Sequence, residues 1–181
     1  MHTGEFRYRE AMNGHDLLLD AFERVRQGVH GAVADLSLEQ LHRRIEADAN
    51  PIAWLVWHLT RVQDDHVADV AGLDQAWTSQ GFDAKFDTPY PAAAVGYGQS
   101  SHEVGELTVP SADILLAYHD AVHELTADYV EGLSDKDFDR VVDTRWDPPV
   151  TLGVRLVSVV NDTLQHVGQA AYVRGILLRE A

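Results

Sequence analysis

Four long helical patterns and no convincing alternating strand predict an all-α chain: a four-helix bundle with a long connection between its second and third helices. Two further observations agree. The chain has 181 residues, ordinary for one domain spanning 1–181. Apolar residues make up 45% and charged residues 24%, the balance of a soluble globular core. A chain of this length buries roughly 70% of its unfolded surface, so its core needs no covalent staples.

The first helix is expected from about Asn13 to Leu36, where Leu18, Phe22, Val25, Val29, Ala32 and Leu36 recur every three or four residues. A link, SLEQLHRRIEADA, leads to the second. Asn50 is a good N-cap there and Pro51 suits the first helical position, where a missing N–H costs nothing. Ile52, Leu55, Val56, Leu59 and Val62 carry that helix to about Ala71. Residues 74–110 break the pattern with Gly, Pro, Ser and the aromatics Phe82, Phe86, Tyr90 and Tyr97. A loop this long is usually a wall or lid, and its aromatics need something to pack on, so it is expected to wall the functional pocket. Within it Gly96-Tyr97-Gly98 reads as a flexible turn. The third helix starts near Ser111, with Ile114, Tyr118, Val122 and Leu125 as its stripe. The fourth runs from about Thr151 to Leu178 through Leu152, Leu156, Val160, Thr163 and Val167. Between them, LSDKDFDRVVDTRWDPP is a polar connection with a short amphipathic turn.

Charge and composition exclude several classes. The chain carries 14 basic and 29 acidic residues, a net −15 with histidines neutral. No basic stripe is visible, so no nucleic-acid partner is expected. The start of the chain lacks the apolar run of a signal peptide, and no stretch of 18 apolar residues occurs, so no membrane partner is expected and the location is expected to be cytoplasmic. There is no cysteine, which removes disulfides, zinc–thiolate sites and a cysteine nucleophile together. No Gly-x-Ser-x-Gly elbow, phosphate loop or dinucleotide-binding glycine pattern is present. The oddity is ten histidines; any transition-metal site must be built from these and carboxylates.

Bundles make metal sites by pointing ligands inward from facing helices. His58 shares a face with Trp54, Leu55 and Val62. His166 follows Asp162 by four residues, about 40° apart around the axis, at the edge of the fourth helix's buried face. Together they make a 2-His-1-carboxylate set with open positions, suited to zinc, nickel or iron. The Asp-x-x-x-His spacing carries no weight alone, because this composition yields roughly 1.6 such acidic pairs by chance. The bland alternative is a core-edge histidine and an ordinary helical ion pair. A rival pair, His119-x-x-x-His123, lies off the third helix's apolar stripe and reads as two exposed histidines. In Gln63-Asp64-Asp65-His66, Asp65 falls two turns after His58 and could orient that imidazole or act as a base; the bland reading is a solvated helix end. His2, His15, His30, His42 and His102 have no partner at ligand spacing and read as surface residues.

The segments NPIAWLVWHLTRVQDDH and DTLQHVGQAAYVRGIL resemble the second and fourth helices of the DinB-like superfamily, in its branch of mycothiol-dependent maleylpyruvate isomerase-like metal-binding domains. GYGQSSHEV and SADILLAYHDAV are similar too, so the resemblance covers nearly the whole chain. It implies an up-down-down-up bundle and carries the family's metal triad onto His58, Asp162 and His166. The commonest family pattern has His where Asp162 stands; a carboxylate remains a competent ligand for a divalent cation. Characterised relatives are thiol-dependent transferases or isomerases using mycothiol, bacillithiol or glutathione. The isomerase has a further C-terminal domain, whereas this chain stops at Ala181 directly after the fourth pattern, so the isomerase reaction itself is not expected.

Three functions follow as expectations. The first is a thiol S-transferase in which a divalent metal, zinc first, activates a low-molecular-weight thiol toward a small electrophile. The second is hydrolysis by a metal-bound water, with Asp65 as the candidate base. The third is a non-enzymatic, stress-associated metal scaffold, which a homodimer would suit. No residue is assigned to thiol binding. Arg61 is a candidate cation for offsetting the negative field around an anionic substrate.

Overall fold

The computed structural model of the chain describes residues 12–86 and 88–180; His2 lies outside them. Eight helices and one two-stranded ladder are described, and four of the helices are long.

Helix α1, Gly14–Val33, opens on a capping box in which Asn13 accepts from the Asp16 N–H and Asp16 reaches back to the Asn13 N–H. It stops short of Leu36, which is buried in the following turn. The link to the second long helix contains α2, Leu38–His42, opened by the reciprocal Ser37/Gln40 box. Helix α3, Ile52–Ala71, begins one residue later than the sequence suggests: Pro51 itself occupies the capping position, in extended backbone, and no side chain caps it. Gly72, in left-handed conformation, ends α3. All ten residues from Ile52 to Arg61 are buried, so α3 is the central helix.

The long connection is not the structureless loop its composition predicts. It folds into α4 (Ala76–Ser79), α5 (Phe82–Phe86) and α6 (Ser101–Glu106), each too short to show a helical period. Its aromatics divide. Trp77, Phe82 and Phe86 are buried around Tyr118 with ring centroids 5.1, 4.9 and 5.8 Å away, each full burial contributing roughly 1.5–3 kcal/mol. Tyr90 packs on Trp57. Tyr97 is 92% exposed.

Helix α7, Ala112–Glu131, is capped by Ser111. A 3-10 turn at Asp137–Asp139 then leads to a ladder that the polar sequence concealed: β1 (Val141–Asp143) pairs antiparallel with β2 (Val150–Thr151). Helix α8, Leu152–Glu180, follows directly.

Contacts give the helix directions. Between α3 and α7, Thr60 meets His119, Gln63 meets Thr126 and Val70 meets Tyr129, so the two run parallel. Helices α3 and α8 run antiparallel, with His58 against His166 and His66 against Arg155. Helices α1 and α8 run parallel: Gly28 faces Val167, and the Arg174 guanidinium reaches the Ala34 carbonyl. Helices α1 and α7 are antiparallel through Glu23–His123 and His30–Asp120. The result is an up-down-down-up bundle. A Cβ on Gly28 would stand 2.9 Å from a Val167 methyl, so the missing side chain lets α1 and α8 approach. No helix among the described residues is long and apolar enough to cross a membrane.

Candidate metal centre

His58 projects from the middle of α3 toward α8, where Asp162 and His166 stand one turn apart. Among the described residues these three form the one cluster of three or more metal-ligating side chains, offering ligand atoms within 4.8 Å of one another. The His166 Nε2 is 3.7 Å from Asp162 Oδ1, and the two imidazoles meet edge to face with centroids 4.7 Å apart.

Their second hydrogen bonds set both rings the same way. His58 Nδ1 lies 2.5 Å from the Val95 carbonyl, which can only accept, so Nδ1 carries the proton and the Nε2 lone pair is left free. His166 Nδ1 likewise donates to the Gln169 side-chain oxygen at 3.0 Å, leaving its Nε2 for the cluster. Metal-bound histidines are oriented this way, by an acceptor on the nitrogen away from the metal. Burial holds the His58 pKa below the usual histidine value, and neighbouring His166 adds to the shift against the opposing pull of the Val95 carbonyl and Asp162. Neutral imidazole is the form that binds a cation. Asp162 Oδ2 is buried with no hydrogen-bond partner among the described residues, an orphaned atom that a cation between these groups would satisfy. The donor set therefore fits a borderline divalent ion such as zinc.

The long connection reaches this centre at Val95 and Gly96. Gly96 has φ +90°, and a Cβ there would stand 2.7 Å from His58 Nδ1 and within about 3 Å of Trp57 and Trp54. Trp54 stacks on His58 at 4.6 Å, its indole N–H donating to Gln99. Sequence reasoning missed Val95, Gln99 and Gln169 as supports. Gln169 had a signal, three residues after His166 and thus on the same face.

A cleft of about 370 Å³ opens beside the centre, lined by His58 and Asp162 together with Val62, Asp65, Val95 and Tyr97 among others. Asp65 does not orient His58, as its helical position suggested; Val95 does so, because the connection crosses directly over the imidazole. Asp65 faces the cleft instead, one oxygen accepting from Gln75 at 2.8 Å. Nor is 63–66 a solvated helix end: Gln63 and Asp64 are buried, and His66 is half-buried against Arg155. Burial, then Arg155, keeps the His66 pKa low. Arg61 is fully buried and committed to protein acceptors, so it is not the cation for an anionic substrate. A larger groove of about 590 Å³ beyond Gln169, bordered by Asn50, Gln165 and Tyr172, contains none of the three ligands.

The rival histidines are not exposed. His119 is wholly buried, because α3 covers the flank of α7 that the apolar stripe alone had left to solvent. The Thr60 hydroxyl donates to the Val56 carbonyl and so accepts from His119 Nδ1–H at 3.1 Å. His119 Nε2 is left buried and unpartnered among the described residues. The His123 Nε2 lies 3.4 Å from Glu23. His30 pairs with Asp120, and His42 bridges the Leu38 carbonyl and the Val109 N–H.

The family profile described as the DinB superfamily matches residues 21–170. A solved structure titled "Crystal structure of the conserved protein of locus from Enterococcus faecalis" superposes with a TM-score of 0.85 at 27% identity, covering 91% of this chain and 96% of that one. No curated protein matches the chain significantly. With the profile spanning most of an up-down-down-up bundle, the chain belongs to the DinB superfamily.

Proposed function

We propose that His58, Asp162 and His166 hold one divalent cation, zinc in the first instance, and that the protein is a thiol-dependent S-transferase acting on small electrophiles. The observation that carries the metal half is the agreement of three parts: two imidazoles with their Nδ1 atoms already engaged, and a carboxylate with a buried oxygen lacking a partner among the described residues. The segments that resemble the mycothiol-dependent branch support the thiol half. A divalent cation in this triad would supply the charge that keeps a small thiol ionised near neutral pH.

The chain's own residues divide the remaining work. His58, Asp162 and His166 would hold the cation. Val62, Val95, Val159 and Tyr97 give the cleft an apolar wall against which an electrophile can sit. The chain has no cysteine, so any sulfur nucleophile must come from a solute. Asp65 beside the triad, in a chain of net −15, disfavours anionic electrophiles and favours neutral ones.

A second reading has its own observation. Asp65 lines the same cleft as His58 and Asp162, and only one of its oxygens is engaged by Gln75, so it is placed to take a proton from water in a hydrolytic reaction. Turnover of chlorodinitrobenzene or bromobimane decides between the two, measured with zinc, with and without mycothiol, bacillithiol or glutathione, for wild type and His166→Ala. The transferase requires both zinc and thiol and is lost in His166→Ala. Turnover without thiol gives the case to hydrolysis. Absence of turnover with a metal bound leaves the scaffold, and equal rates in the two proteins remove the metal from the chemistry.

A further inference from the structure

We infer that Arg61, buried three residues after His58, is the positioning residue of the candidate metal centre: it locks the long connection in the register that presents the Val95 carbonyl to His58. Arg61 has no solvent exposure. Its Nε donates to the Ala94 carbonyl at 3.1 Å and its Nη2 to the Ala92 carbonyl at 3.3 Å. The next carbonyl along, Val95, is the one that accepts from His58. Two side chains on one face of α3 therefore hold three carbonyls of a four-residue stretch. The five donors of the rigid guanidinium fork let one side chain hold two of these carbonyls in fixed geometry and still bond elsewhere.

The fork is itself fixed from the other side. Its Nη1 donates to Gln75 at 2.9 Å and to the Tyr118 hydroxyl at 3.2 Å, and its Cζ lies over Trp77, 5.0 Å from the ring centroid. Asp64, 3.5 Å away, balances its charge. Asp64 in turn accepts from the Ala76 and Trp77 N–H groups and from Tyr118, all at 2.9 Å. Gln75 passes the arrangement on, its amide donating to Asp65 at the cleft. One buried cation thus ties the orientation of a ligand imidazole and the placement of a cleft carboxylate to the same segment. A buried pair of this kind adds little net stability over apolar residues of similar volume, but it specifies geometry.

The inference rests on the proposed metal role of His58 only in its second readout. Arg61→Lys keeps the charge that Asp64 balances and removes the fork. Circular dichroism should show the helices retained. Nitrogen-detected NMR of the metal-free variant should show His58 Nδ1–H exchanging faster by about tenfold or more, with the Nε2–H tautomer appearing; zinc affinity should fall about tenfold, the size of effect expected for a group that orients a ligand. A folded variant with unchanged His58 exchange and tautomer would overturn the inference. If the variant does not fold, wild-type exchange decides. Arg61 Nε–H and His58 Nδ1–H should open together with one denaturant dependence; His58 opening independently and faster would overturn it. Wild type that binds no zinc, beside an Arg61→Lys protein whose His58 is freed, would remove the proposed function and leave the positioning role standing.

Discussion

Two histidine clusters lie on different sides of α3, each built around a pair four residues apart on the neighbouring helix, and they are arranged for different ends. On α8, Asp162 and His166 turn toward His58, each imidazole spends its Nδ1 on an acceptor outside the cluster, and the lone pairs are left to converge. On α7, His119 spends its Nδ1 on Thr60 inside the core, and its Nε2 meets no partner among the described residues. His123 and His30 are turned outward to the carboxylates of Glu23 and Asp120. The first cluster has its acceptors behind it and its donors in front; the second has its histidines already paired or sealed. What separates histidines able to hold a metal from packed ones is where the second nitrogen goes.

Alanine substitution should separate the two clusters most sharply. His58→Ala and His166→Ala should each lose the metal in elemental analysis of the purified protein, while His123→Ala keeps the wild-type stoichiometry. Retention in both of the first two would sink the triad. Chelation of wild type should leave helical circular dichroism intact at 25 °C, since four packed helices already form the core and the metal adds only its binding linkage. Asp162→Asn, which keeps shape and removes charge, should weaken zinc binding on the order of 100-fold, comparable to the effect of losing an important supporting contact or more, in a competition titration.

Gly96→Ala should cost about 2 kcal/mol in urea unfolding, because the residue must hold a positive φ and its Cβ would press on His58 Nδ1. An unchanged midpoint would mean the connection is free to move off α3. His119 tests the other cluster by pH. Burial, its largest influence, lowers its pKa from 6.5 to about 3, so the folded state keeps it neutral where the unfolded chain already takes a proton. Its stability contribution is therefore full above about pH 6.5 and is lost as pH falls toward 3. Below about pH 6 this one group should steepen the loss by up to ~1.4 kcal/mol per pH unit, and His119→Gln should flatten the acid limb accordingly. The smallest effect belongs to Asp120→Asn. Its carboxylate bridges His30 and Arg26 but is 36% exposed, so solvent screening keeps the loss below about 1 kcal/mol, with zinc affinity unmoved.

The sequence determined the four long helices, because amphipathic period and caps such as Asn13 and Ser111 are local properties that survive without the rest of the chain. It also placed His58, Asp162 and His166 on faces able to meet, since position on a helix is set by spacing alone. What it left open was decided by what covers what. Asn50 lost the cap of α3 to Pro51, α4 to α6 were too short to show a period, and the β1–β2 pair formed from residues whose partners lie across a turn. The apolar stripe of α7 could not show that α3 covers His119, nor could Asp65's two-turn distance from His58 show that Val95 would arrive first. Ligand types and helix faces are written in spacing. The carbonyl that aims His58, that of Val95, belongs to a stretch more than thirty residues away in sequence, and only packing, with the Arg61 fork holding that stretch from α3, brings it to the site.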